Sequence, residues 1–217
     1  GEEPGQFSEP SAVVVSPSNE IFVTDTYNRR VQVFSMTGIV EQTTTVFGGY
    51  GEEPGQLDGP TGVVVSPSNE IFVADTINGR VQVFSMTGVY LRHFPTVGTL
   101  EPEEIAIDAE GHLWVMGDNL DSQGSLIGRY TKMGVHITTV YPSLLNNTFQ
   151  GIAVDTLRNL VVVSELWDHY GEKNALMPSM KHRFSFGGHT DINGGDQMIR
   201  VTGLCTDGAG NVLVADW

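Results

Sequence analysis

Residues 51–84 read GEEPGQLDGPTGVVVSPSNEIFVADTINGRVQVF, and residues 1–34 read GEEPGQFSEPSAVVVSPSNEIFVTDTYNRRVQVF. The chain states one pattern twice, fifty residues apart, and continues it in looser form. With Gly62 as the marker, the phrase returns at Glu104 (EIAIDAEGHLWV), Gly151 (GIAVDTLRNLVVV) and Gly203 (GLCTDGAGNVLVADW), while Ala12 holds the marker in the first copy. The intervals are 50, 42, 47 and 52 residues. A fixed motif at irregular spacing is one structural unit carrying loops of variable length.

Each unit reads as strands. In the second copy Val63–Val65 is closed by the turn cluster Ser66-Pro67-Ser68-Asn69, and Ile71–Val73 is stopped by Asp75-Thr76. Val81–Phe84 ends at Thr87-Gly88, and Val89–Leu91 opens a fourth run. Short β-branched and aromatic runs punctuated by Gly, Pro, Asn and Asp form hairpins. Four strands repeating at roughly 40–50 residues predict the blades of an all-β propeller. The first strand keeps small residues at its middle (Val14, Val64, Ala106, Ala153, Cys205), as crowding near a propeller axis requires. The expected units are 1–50, 51–97, 98–144, 145–198 and 199–217, the last cut short. That is about four and a half blades of an expected six. Residue 1 is not Met and falls in an entry loop, so the simplest expectation is a piece of a longer protein.

Composition narrows function. The net charge is −15, from 26 acids against 11 basic residues. Such a chain repels phosphate backbones and anionic membranes unless its cations cluster, and here they scatter. Acids recur at the entry to each unit: Glu2-Glu3, Glu52-Glu53, then Glu101, Glu103 and Glu104. No segment approaches a transmembrane span. The single Cys205 lies in an apolar run and is expected to be a buried small hydrophobe rather than a nucleophile. Asn146-Asn147-Thr148 is a glycosylation tripeptide, a pattern common by chance.

The string from Gly62 through Asn69-Glu70-Ile71-Phe72-Val73 to Asp75, Asn78, Arg80 and Val81 resembles the NHL repeat. The first two copies match nearly throughout, ending in Asp25, Asn28 and Arg30, then Asp75, Asn78 and Arg80. The third and fourth drift, with Gly117 and Ser164 in place of the aspartate and an acid one residue later, Asp118 and Glu165. The first 97 residues in particular resemble the NHL domain of TRIM-NHL proteins. That resemblance implies a six-bladed propeller selecting targets for a RING-type ubiquitin ligase, in the cytoplasm. It also implies a parent made oligomeric by a coiled coil outside this chain. No cofactor is expected here, and zinc is implied only for upstream RING and B-box modules. An RNA-binding propeller and, more weakly, a lyase-type propeller are the alternatives the family offers.

Within the motif, Asp25, Arg30, Asp75 and Arg80 are expected to be structural. The aspartate and asparagine satisfy turn amides, and the arginine folds back on the aspartate as an ion pair. A metal site should draw ligands from equivalent positions of several units. His93, His112, His136, His169, His182 and His189 occupy unrelated places, and Asp191–Asp196 (DINGGD) lacks calcium-loop spacing. No catalytic motif is present. Recognition is expected instead on the loops after the second strands: Tyr27, Asn28, Arg29, Ile77, Asn78, Trp167, His169 and Tyr170. Aromatic loop residues among recurrent acids suit a protein or peptide partner carrying Lys or Arg.

Overall fold

In the computed structural model, the described residues are 1–36, 43–121, 124–141, 148–167, 170–176, 182–186, 201–207 and 209–216. They hold eighteen strands and no helix. The strands are β1 (Pro10–Val15), β2 (Glu20–Asp25), β3 (Arg30–Ser35), β4 (Thr43–Gly48), β5 (Pro60–Val65), β6 (Glu70–Asp75), β7 (Arg80–Ser85), β8 (Tyr90–Pro95) and β9 (Leu100–Ile107). They continue as β10 (Leu113–Asn119), β11 (Ser125–Tyr130), β12 (His136–Val140), β13 (Thr148–Asp155), β14 (Leu160–Trp167), β15 (Tyr170–Leu176), β16 (His182–Phe186), β17 (Val201–Thr206) and β18 (Val212–Asp216). Four consecutive four-stranded meanders, β1–β4, β5–β8, β9–β12 and β13–β16, are followed by the pair β17–β18. Neighbouring strands pair antiparallel throughout β1–β4, β5–β8 and β13–β16, along β10–β12 and in β17–β18. The chain divides into two compact units, residues 1–105 and 106–217.

In the first unit, the two sheets share one core. Phe22, Val31 and Val33 of the first sheet pack with Val63, Val65, Ile71, Val73 and Phe84 of the second. Ile71 and Val73 of β6 join this core, and β6 is buried from Ile71 to Asp75. Threonines tie the sheets along their edges. Thr24 and Thr26 donate to the carbonyls of Thr61 and Pro60 at 2.6 Å, and Thr76 donates to the Pro102 carbonyl at 2.7 Å. At Gly62 the backbone of β9 comes close. A Cβ there would stand 2.6 Å from the Glu103 carbonyl oxygen and 2.9 Å from the Glu104 Cα, so only glycine fits without moving backbone.

In the second unit, Trp114, Met116 and Ile127 pack with Phe149, Ile152, Val154, Val161 and Val163. Cys205 departs from expectation. It pairs with Leu213 in the two-stranded sheet and is exposed, because β13 packs against the sheet on the Leu204 side and nothing among the described residues covers the face that holds Cys205.

Candidate functional site

In the first two repeats, the turn after the second strand is built by the Asp-x-x-Asn-x-Arg-x-Gln string, Asp25–Gln32 and Asp75–Gln82. Asp25 lies opposite Arg30, and Asp75 opposite Arg80, across four-residue turns closed by Arg29 N–H to Thr26 O (3.1 Å) and Gly79 N–H to Thr76 O (3.0 Å). The Asp75 side chain is fully buried. It accepts from Arg80 Nε at 2.7 Å, Gln82 Nε2 at 2.9 Å, Asn78 Nδ2 at 3.0 Å and the Asp58 amide at 2.8 Å. Arg80 then reaches the entry loop, donating to the carbonyls of Glu52 (2.7 Å), Glu53 (3.3 Å) and Gln56 (3.0 Å). The first repeat repeats this around Asp25, with Arg30 on the carbonyls of Glu2, Glu3 and Gln6. Burial pushes the Asp25 carboxyl up, but hydrogen bonds from the Ser8 amide, Asn28, Arg30 and Gln32 outweigh it and hold it below 3.8. In these two repeats the motif is a clamp that fastens the entry loop beside the repeat's own turn.

Clamping consumes two residues expected at the partner surface. The Asn28 amide donates to Asp25 and to the Gly1 carbonyl, and the Asn78 amide to Asp75 and the Gly51 carbonyl. The entry-loop carbonyls need donors, and these asparagines supply them. Tyr27 and Ile77 are held differently. Their amides bond Ser8 O and Asp58 O, while their side chains stand 64% exposed.

Arg29 joins the two turns. Its Nε donates to Asp58 of the next repeat at 3.0 Å, and its guanidinium stacks on the Tyr50 ring at 4.7 Å. Tyr50, not anticipated in the sequence, is itself 69% exposed. Its signal was position: it lies between the last strand of one repeat and the entry loop of the next, bridging to Leu57. Arg29 also holds a left-handed backbone, φ +55°, where the second repeat has Gly79 at +59°. A non-glycine residue there is disfavoured, and its partners hold it. Tyr27, Arg29, Tyr50, Asp58 and Ile77 thus form one fixed, partly apolar surface in the first unit.

Elsewhere, Trp167 and Tyr170 face one another across the β14–β15 hairpin register, and His169 lies outside the described residues. Residues 191–196 and Asn146-Asn147 also lie outside them. Asp108, Glu110 and His112 place ligand-type atoms within 4.8 Å of one another. Arg129 Nη2 already sits among them, 2.7 Å from Asp108, 3.3 Å from Glu110 and 3.0 Å from His112 Nδ1. Its guanidinium also stacks on Trp114 at 5.0 Å, and Trp114 donates to Asp108. Burial raises the Asp108 carboxyl, but bonds from the His112 amide, Arg129 and Trp114 lower it overall. This is an ion-pair network in which arginine fills the cation position, although the buried Arg129 Nε has no hydrogen-bond partner among the described residues.

Residues 7–34 and 57–84 each match the NHL repeat. No curated protein matches the sequence. Among solved structures, a catalytically inactive virginiamycin B lyase from Staphylococcus aureus, with quinupristin, matches at TM-score 0.72 and 16% identity, over 99% of this chain and 66% of that one. A nidogen/laminin complex matches at TM-score 0.72 and 16% identity, over 96% and 72%. The Dos1 propeller matches at 0.64 and 14% identity, over 95% and 53%. The chain therefore spans about two thirds of the lyase and half of the Dos1 chain. It carries NHL repeats, and its four-stranded sheets are blades of a β-propeller fold.

Proposed function

We propose that this propeller recognises a protein partner through the turn face of its first two repeats. The observation that carries the reading is the exposure of Tyr27, Tyr50 and Ile77 on backbones fixed by the entry-loop clamps. Rigid, exposed aromatic and aliphatic groups bind with little ordering cost. A similar fold serves a protein–protein assembly in the nidogen/laminin complex. RNA is the poorer partner, since Arg30 and Arg80 are engaged inward by Asp25 and Asp75. The resemblance of residues 1–97 to TRIM-NHL proteins extends the proposal: the face selects cytoplasmic targets for a RING-type ubiquitin ligase in the same protein.

The test is a peptide-display selection on the chain, followed by titration of selected peptides against Tyr27→Ala, Ile77→Ala and Arg29→Gly. Arg29→Gly places glycine at the left-handed position and should leave melting unchanged. An affinity loss of tenfold or more in each supports the face. Selected peptides that bind all three variants as they bind the parent chain overturn it. The ligase extension is checked separately with the full-length protein: ubiquitin transfer to a bound target should fail in Tyr27→Ala while self-ubiquitination persists.

A further inference from the structure

On the basis of that recognition face, we infer that its partner is a peptide segment bearing lysine or arginine on either side of an apolar residue. The apolar residue meets Tyr27, Tyr50 and Ile77, which are 64%, 69% and 64% exposed. The basic residues meet carboxylates that the fold leaves uncompensated.

The charge on this face follows from which arginines the clamps use. Arg30 and Arg80 are paired with Asp25 and Asp75 and reach only backbone carbonyls beyond them. Arg29 is paired with Asp58. Glu2, Glu3, Glu9, Glu52 and Glu53 are all exposed, and no ion pair engages them among the described residues. The clamps also fix where these acids stand. The carbonyls of Glu2 and Glu3 accept from Arg30, and those of Glu52 and Glu53 from Arg80, so two successive repeats present the same acidic pair at the same place beside the turn. Tyr27 and Ile77 sit on the two turns these pairs flank, and the turns are linked through Asp58, whose carboxylate accepts from Arg29 and whose backbone carbonyl accepts from the Ile77 amide, with Tyr50 under the Arg29 guanidinium. A partner carrying anions would meet exposed carboxylates on a backbone that the clamps hold in position. A partner carrying cations gains attraction at both ends, faster association and a defined register.

The experiment uses three fluorescent peptides with the same central Leu-Phe: one flanked by lysine pairs, one by glutamine pairs and one by glutamate pairs. Each is titrated against the chain, Glu52→Lys/Glu53→Lys, Tyr27→Ala and Ile77→Ala. The inference expects the lysine peptide to bind best, to weaken at least tenfold in the Glu52→Lys/Glu53→Lys variant, and to weaken at least fivefold between 50 and 300 mM salt, all estimated effects. Binding of the glutamine or glutamate peptide as tight as the lysine one, lost in Tyr27→Ala but not in the charge variant, overturns the basic partner and keeps the face. Lysine-peptide binding that survives Tyr27→Ala and Ile77→Ala overturns the face itself. RNA oligonucleotides binding more tightly than any peptide, through Arg29, overturn both.

Discussion

The first two repeats are almost the same sequence in different surroundings. Val13 and Val15 of β1 are 65% and 52% exposed, whereas their counterparts Val63 and Val65 in β5 are 6% and 8% exposed. The difference is Phe22, Val31 and Val33, which cover β5 and have no equivalent over β1 among the described residues. Burial here belongs to adjacency rather than to the repeat. The repeat encodes a face, and a neighbouring blade decides whether that face becomes core.

Charge makes this contrast largest. Val63→Asp places an unpaired carboxylate among Phe22, Val31 and Phe84 and should destabilise the first unit by about 4 kcal/mol or more. Val13→Asp should stay within about 0.5 kcal/mol of the parent chain, because its carboxylate remains in water. Urea unfolding followed by intrinsic fluorescence measures both. Equal losses would show that β1 is covered in solution.

The clamp comes next. Asp75→Ala leaves Arg80 buried without its carboxylate and should cost about 3 kcal/mol. The Asp25 clamp adds a pH signature. Its carboxyl is held below 3.8 in the folded chain, so its contribution is complete above the unfolded value and is lost as pH falls through the folded one. Stability of the parent chain should therefore fall below pH 3.8 more steeply than that of Asp25→Asn. Parallel acid titrations of the two would sink the assignment.

The smallest effect contrasts the marker position across repeats, where Ala12, Gly62, Gly151 and Gly203 give way to Glu104. Burial, aided by Glu103, pushes the Glu104 carboxyl up to about 7. A raised acid binds its proton more tightly in the folded chain, so stability should decline as pH rises from 4.5 to about 7. Glu104→Gln should melt a few degrees higher than the parent chain at pH 8 and alike at pH 4. A lower melting temperature at pH 8 would show that the ionised carboxylate has a stabilising partner.

What could be read from the residues was whatever the local chain satisfies by itself. The strand runs, the turns and the pairing of Asp75 with Arg80 five positions on follow from short-range needs. Long-range partners were not legible. Nothing near Arg29 announces Asp58 or Tyr50, and nothing near Asn28 announces the Gly1 carbonyl twenty-seven positions away. The drift at Gly117 and Ser164 concealed a relocation. The third and fourth repeats bury their aspartates at the end of the first strand instead, as Asp108 with Arg129 and Asp155 with Arg158. The buried carboxylate persists, but at the other end of the blade.

The Asp58 amide lies in a loop, yet it donates to the buried Asp75 carboxylate rather than to a strand neighbour. Ser8 does the same with Asp25. Surface-loop amides ordinarily exchange with solvent deuterium within the fast local motions of their segment. These two can exchange only when a clamp lets go. Each therefore acts as an isotopic clock for one blade entrance, and the ratio of the two rates reads out how much a neighbouring repeat steadies the same eight-residue strap.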